Sequence, residues 1–179
     1  KKEEQPTGIW TNRPLFQAWK LFDALSQRGV HYRPDPHMPY GQISVSESTI
    51  GHIQDQAVLL QTGAGDCDDL TVLYCTLLEQ ADTETALIDA PGHILMAFNT
   101  GLTPDQASKI NLVEDTYITR NGRVWIPVEI KLFGQSFQQA WETAAEEYLR
   151  LQSQGSIKII DTHAAWETYP PLSREHKNN

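Results

Sequence analysis

The chain has 179 residues, which is enough for one domain with a substantial core and short for two. Hydrophobic residues make up 40% of it and charged residues 21%, as in an ordinary soluble globular protein. The formal net charge of −9 repels phosphate backbones, so nucleic acid is excluded as an expected partner. Every apolar run falls short of the roughly 18 residues that a membrane-spanning helix needs.

The first helix signal covers residues 12–29. Asn12 is a typical N-cap, Pro14 fits the first helical turn, and Gly29 suits the position after the C-cap. Apolar residues at helical spacing form one face, namely Leu15, Trp19, Phe22 and Leu25. We therefore expect a capped, amphipathic helix that packs against the core.

Two less regular segments precede the strongest helix signal. Residues 30–41 contain three prolines and predict an irregular loop, and residues 47–61 predict a weaker helical connection. The best helix covers residues 66–81, with Asp66 as its N-cap and apolar residues at i, i+3, i+4 and i+7. Cys67 stands in its first turn, beside the apolar face.

From residue 84 onward the hydrophobic period changes to that of strands. Two short strands are predicted on either side of Pro91-Gly92, and a hairpin is predicted at Asn121-Gly122 between β-rich arms. A helix at residues 135–152 and a last strand at 156–161 follow. Helices come first and strands after, which predicts an α+β domain.

The two cysteines do not form a disulfide scaffold. In one helix, Cys67 and Cys75 would lie about 12 Å apart along the axis, whereas a disulfide needs Cα atoms within about 7 Å. Cys75 is interpreted as a packing residue. Cys67 has three alternative roles: a buried structural thiol, a metal ligand or a nucleophile.

A nucleophilic role for Cys67 requires the thiolate, which a helix N-terminus and a nearby imidazolium both favour. Of the six histidines, only His93 opens a predicted core strand, and a polar residue there needs a partner. Glu129 ends the next strong strand and could bind one imidazole nitrogen while the other faces Cys67. This order of thiol, imidazole and carboxylate follows the logic of nucleophile, base and orienting group.

Three aspartates around Cys67 oppose that interpretation. Asp66, Asp68 and Asp69 would raise the pKa of the thiol, although Asp66 is expected to serve as the N-cap. Clustered carboxylates also suggest calcium, but this segment lacks the ligand spacing and glycine of a calcium loop. Zinc would lack a fourth ligand. We therefore expect no cofactor, with calcium kept as an alternative.

Three motifs together resemble the transglutaminase-like superfamily: GDCDDLTVLYCTLLEQADTETALID, PGHILMAF and NGRVWIPVE. The resemblance implies a papain-like α+β fold, in which the helix that carries the cysteine packs on an antiparallel sheet. It also implies that Cys67 is the nucleophile, His93 the general base and acid, and Glu129 the orienting carboxylate, where most members have Asp. Gln61, six residues before Cys67, resembles the oxyanion residue of papain-like proteases, with Tyr32 or a tryptophan as alternatives.

These features lead to an expected organisation and function. Residues 1–13 form an N-terminal extension, 14–170 the transglutaminase-like domain, and 171–179 a flexible tail. We expect a thiol-dependent peptidase or amidase that acts on a protein or peptide, with amine transfer or a catalytically silent peptide- or cell-wall-binding module as alternatives. The closest resemblance is to bacterial domains attached to tetratricopeptide repeats in exported proteins, which implies a longer parent chain and a periplasmic location.

Overall fold

A computed structural model describes residues 7–34 and 54–168 of the chain. The helices are α1 (Arg13–Gln27), α2 (Gln56–Thr62), α3 (Cys67–Gln80), α4 (Pro104–Lys109), α5 (Phe137–Ser153) and α6 (Thr162–Thr168). The strands are β1 (His31–Tyr32), β2 (Ala64–Gly65), β3 (Thr85–Ala90), β4 (His93–Asn99), β5 (Ile118–Arg120), β6 (Arg123–Val128) and β7 (Lys158–Asp161). This order of helices and antiparallel strands confirms the predicted α+β class.

The main sheet has five antiparallel strands in the order β5-β6-β4-β3-β7. Its two edge strands are joined by an ion pair, in which Arg120 Nη2 on β5 donates to Asp161 Oδ2 on β7 at 2.7 Å. Since these strands lie at opposite ends of the strand order, the sheet is curled. Of the helices in the described residues, none is long and apolar enough to cross a membrane.

The predicted hairpin at Asn121-Gly122 is present in the main sheet, and the two strands predicted around Pro91-Gly92 also pair as a hairpin. β3 and β4 are joined by Pro91-Gly92, and Gly92 has a φ of +73°. β5 and β6 are joined by Asn121-Gly122, whose φ values of +51° and +70° are those of a type I′ turn. Because Asn and Gly tolerate positive φ, the sequence specifies this turn directly.

The sheet packs on both faces. One face of β4 and β6 joins the larger core cluster with α1 and α3, through Met96, Phe98, Val124, Ile126 and Val128. The other face packs against Ala144 and Tyr148 of α5, and its buried residues are Ala86, Ile88, Leu95, Ala97, Ile118 and Trp125. The helix that carries Cys67 therefore lies against one face of the sheet, whereas His93 alternates with Leu95 and Ala97 and so belongs by register to the face that packs against α5.

The N-terminal helix is capped and anchored as the sequence predicts. The Asn12 side chain accepts a hydrogen bond from Leu15 N at 3.0 Å, and Gly29 follows the helix with a φ of +81°. The hydroxyl of Tyr74 on α3 donates to the carbonyl oxygen of Ala18 at 2.6 Å, which joins the two helices inside the core. The described part of the N-terminal extension includes a 3₁₀ turn, Gly8–Thr11, whose side chains pack against the core.

Three features differ from the sequence-based interpretation. The predicted irregular loop begins as β1, because His31 N and Arg33 N donate to the carbonyl oxygens of Gly63 and Gly65. The short helices α4 and α6 were not predicted, since each spans only about two turns. The rest of the proline-rich loop, the beginning of the weak helical connection and the C-terminal tail lie outside the described residues.

Candidate active site

The first turn of α3 is fixed by a capping box. Asp66 Oδ1 accepts hydrogen bonds from the backbone amides of Asp68 and Asp69 at 3.0 and 3.1 Å, and Asp69 Oδ2 accepts from Asp66 N at 3.3 Å. The predicted N-cap role of Asp66 is thereby confirmed, and Cys67 is the first residue of the helix. The carboxylates of Asp66 and Asp69 thus hold the helix end together.

The glycine of the GDC motif lets the chain pass close to this helix. A Cβ atom placed on Gly65 would lie 2.8 Å from Asp69 Cβ and 3.0 Å from Leu59 Cδ1. Asp69 is itself held by Gln54 N, which donates to Oδ1 at 2.7 Å. A side chain at position 65 would therefore displace the turn that positions Cys67.

The surroundings of Cys67 favour the protonated thiol. Its residue is only 4% exposed, and Sγ lies 3.4 Å from Asp68 Oδ1, to which it donates. Burial raises the pKa of the Cys67 thiol to about 12, with further upward contributions from the Asp68 carboxylate and Asp66, and with Lys131 acting in the opposite direction. Burial and the carboxylates of Asp68 and Asp66 therefore keep the thiol pKa above its ordinary value, in the direction that the sequence predicted for the aspartates.

His93 and Glu129 form the predicted imidazole–carboxylate contact. His93 Nε2 lies 2.6 Å from Glu129 Oε2, and the two residues are only 7% and 5% exposed. The register explains the contact, because the β4–β6 ladder ends at Met96 and Val128, and Glu129 follows one step later. Glu129 therefore stands diagonally across from His93 on the same face, a spacing that long side chains bridge.

The hydrogen bonds of Glu129 determine which imidazole nitrogen can act as a base. Its second oxygen, Oε1, accepts from Lys131 N at 2.9 Å, which fixes the carboxylate at the start of a 3₁₀ turn. In the neutral imidazole, donation to this carboxylate places the proton on Nε2 and leaves the lone pair on Nδ1. Nδ1 is buried and has no hydrogen-bond partner among the described residues.

The pKa values of Asp68 and Tyr32 respond to charges on Cys67 and on the His93–Glu129 pair. Burial raises the pKa of Asp68 to about 6, and the nearby His93 lowers it against this trend. Burial also raises the pKa of Tyr32, and Cys67 and Glu129 both raise it further. Cys67 and His93 are not hydrogen-bonded to each other within the described residues, because the thiol donates to Asp68 instead.

The structure places two of the residues considered for the oxyanion position, Gln61 and Tyr32, on different elements. Gln61 lies on α2 with an exposed side chain. Tyr32 lies on β1, where it pairs with Gly65, two residues before Cys67. Tyr32 is thus the candidate that contacts the strand leading into the site.

Glu147 is a member of this site that sequence reasoning missed. One oxygen of Glu147 lies within 4.8 Å of donor atoms of both His93 and Glu129. The sequence contained one indication of this position. Glu147 lies three residues after Ala144 and four before Leu151, so it borders the buried face of α5. The three residues form a donor set that a divalent cation could use, although His93 Nε2 and Glu129 Oε2 already lie within hydrogen-bond distance of each other.

The chain was compared with family models, curated proteins and solved structures, and none of them matches it. The functional assignment therefore depends on the residues and geometry described above.

Proposed function

We propose that the protein is a thiol-dependent acyl-transfer enzyme of the transglutaminase-like type, with Cys67, His93 and Glu129 as its catalytic residues. The observation that carries the proposal is the state of His93. Glu129 Oε2 lies at Nε2, the buried Nδ1 has no hydrogen-bond partner among the described residues, and the charge of His93 acts on Asp68, the residue after Cys67. A buried imidazole nitrogen without a hydrogen-bond partner lowers the stability of the fold, and a role in the reaction would explain why this site keeps one.

The fold supports the same proposal. The cysteine begins a core helix, and this helix packs on an antiparallel sheet whose adjacent strands supply the imidazole and the carboxylate. A papain-like fold has this arrangement, and we propose that the domain adopts it.

The proposed acylation step uses these three groups in turn. The Cys67 thiol turns from Asp68 towards His93, and Nδ1 takes its proton while Sγ bonds to the substrate carbonyl carbon. Glu129 holds the ring and stabilises the imidazolium that forms. The imidazolium then gives its proton to the leaving nitrogen, the carbon–nitrogen bond breaks, and a thioester on Cys67 remains.

The second step removes the acyl group from Cys67. Water attacks the thioester carbon, His93 Nδ1 takes a proton from the water, and the proton returns to Sγ as the carbon–sulfur bond breaks. The products are a carboxylic acid and the free thiol, so the reaction is that of a peptidase or an amidase. An amine in place of water would give a new amide and make the enzyme a cross-linking transferase.

The protonated thiol determines the type of base catalysis. Because the pKa of Cys67 is about 12, a resting thiolate–imidazolium pair is not the starting state. Proton transfer to His93 must accompany attack on the carbonyl. This mechanism requires the free lone pair on Nδ1 at the moment of reaction.

Acetylation by p-nitrophenyl acetate tests the proposal. The native protein should form an acetyl thioester on Cys67, located by mass spectrometry of its peptides after acid quenching. Cys67→Ala should lose this adduct, and Cys75→Ala should keep it. Cys75 is the matched control because it is also a buried cysteine on α3. Added amine would reveal transfer as an amide product. Acetylation of Cys67 no faster than that of Cys75 would contradict the proposal.

One observation favours a second candidate, a catalytically silent module that binds a peptide or a cell-wall component. The Cys67 thiol donates to Asp68 and is held protonated, as a relic cysteine could be. In that case Cys67→Ala would bind such a ligand as tightly as the native protein, and no acetyl thioester would form.

The resemblance of the sequence motifs also leads us to propose a periplasmic location. Fractionation of cells that express the complete natural gene tests it, and recovery of the protein only with the cytoplasmic fraction would contradict it.

A further inference from the structure

Lys131 lies at the junction between Glu129 and the strand that precedes Cys67. It belongs to the 3₁₀ turn Ile130–Leu132, and its backbone amide donates to Glu129 Oε1 at 2.9 Å. Its ammonium lies over the ring of Tyr32, with Nζ 5.5 Å from the ring centroid. Backbone and side chain of this residue thus contact different parts of the site.

The charges around the thiol give this ammonium a distinct position. Asp68 and Asp66, at the start of α3, both oppose ionisation of Cys67. Lys131 acts on the same thiol with the opposite sign. During attack, negative charge develops on Cys67 Sγ and on the substrate carbonyl oxygen. The nearby carboxylates of Asp68 and Asp66 repel this charge, and the Lys131 ammonium compensates for part of the repulsion.

We propose that the ammonium of Lys131 stabilises, through its electric field, the negative charge that develops on Cys67 Sγ during attack. The inference rests on the proposed function of Cys67 as a nucleophile. Tyr32 holds the ammonium through its ring, and the ring is anchored because β1 pairs with β2 directly before the capping box. Lys131 acts through the field at Sγ and transfers no proton.

Side-chain variants isolate this role because the amide that holds Glu129 belongs to the backbone. Lys131→Met keeps that amide and much of the side-chain volume but removes the charge, whereas Lys131→Arg keeps the charge. Lys20→Met is a matched control, since Lys20 also lies over an aromatic ring, at 4.1 Å from the centroid of Trp19, and is exposed on α1.

The test is the rate of Cys67 alkylation at pH 8 in a Cys75→Ala background, with neutral iodoacetamide and with anionic iodoacetate. Lys131→Met should slow the iodoacetamide reaction about three- to tenfold and the iodoacetate reaction more, because the lost cation also attracted the anionic reagent. Lys131→Arg should stay within about twofold of the native rate. Lys20→Met should leave both rates unchanged.

Three results would overturn the inference: an unchanged rate in Lys131→Met, an equal loss in Lys131→Arg, or an equal loss with both reagents. The last two would indicate a packing role. These outcomes are separate from the test of the proposed function, because alkylation needs no acyl transfer. If Cys67 is not acetylated but Lys131→Met still slows its alkylation, only the enzyme proposal is rejected. If Cys67 is acetylated but Lys131→Met leaves its alkylation unchanged, only the role of Lys131 is rejected.

Discussion

Asp68→Asn should make Cys67 more reactive, because Asp68 is both the hydrogen-bond partner of the thiol and the charge that most strongly opposes its ionisation. Asparagine keeps an acceptor oxygen and removes the negative charge. The change therefore tests electrostatics with little change of shape.

The size of the effect follows from the raised pKa of the thiol. The pKa of Cys67 is about 12, against an ordinary value of 9.0, and burial is the largest cause of the rise. Removal of the Asp68 charge leaves the burial, so we expect the pKa to fall by about one unit and to stay above the ordinary value. Well below the pKa, one unit means about ten times more thiolate, hence about tenfold faster alkylation.

The assay is alkylation of Cys67 by iodoacetamide between pH 7 and 9, in a Cys75→Ala background. Asp105→Asn is the matched control, because Asp105 also lies in the first turn of a helix but is exposed on α4. An unchanged or slower reaction in Asp68→Asn would refute the reasoning, because the thiol would then owe its low reactivity to burial alone.

Three further predictions concern the carboxylates and the core. Glu129→Gln should lower the acetylation rate about 100-fold or more, because a neutral amide no longer fixes the tautomer or compensates the imidazolium of His93, while Glu129→Asp should retain part of the rate. The pKa of Asp68 is raised from 3.8 to about 6, so protonation of Asp68 stabilises the folded state below about pH 4. This stabilisation is lost as the pH rises through 6. Between pH 4 and 7, the free energy of unfolding of Asp68→Asn, measured by urea titration, should therefore rise relative to that of the native protein. The expected rise is about 1 kcal/mol after allowance for solvent screening. Tyr74→Phe should cost about 1–2 kcal/mol, since it removes a buried hydrogen bond to the Ala18 carbonyl, and a loss near zero in the same titrations would contradict this.

The sequence predicted those features that depend on local chemistry. Asn12 and Asp66 cap their helices because their side chains reach the free amides of the first turn. The Asn121-Gly122 turn follows from the positive φ that both residues tolerate. The contact between His93 and Glu129 could be predicted because each lies at the end of a strand and the two strands are neighbours.

Features that depend on packing could not be predicted in this way. The raised pKa of the Cys67 thiol results from burial and the carboxylates of Asp68 and Asp66, opposed by Lys131, and a sequence gives the signs of these effects without their sizes. Glu147 reaches the site because α5 packs across the curled sheet. β1 forms because a distant segment offers two carbonyl groups, which the prolines nearby in the sequence do not indicate.

The central claim is that His93 takes the proton of Cys67 when the thiol attacks a carbonyl. Its most direct test is the rate constant for acetylation of Cys67 by p-nitrophenyl acetate at neutral pH, measured in a single turnover on the native protein and on His93→Ala. The account predicts a fall of about 100-fold or more in the variant, the contribution expected of a general base. Equal rate constants in the two proteins would contradict the account, because the buried nitrogen of His93 would then take no part in the reaction.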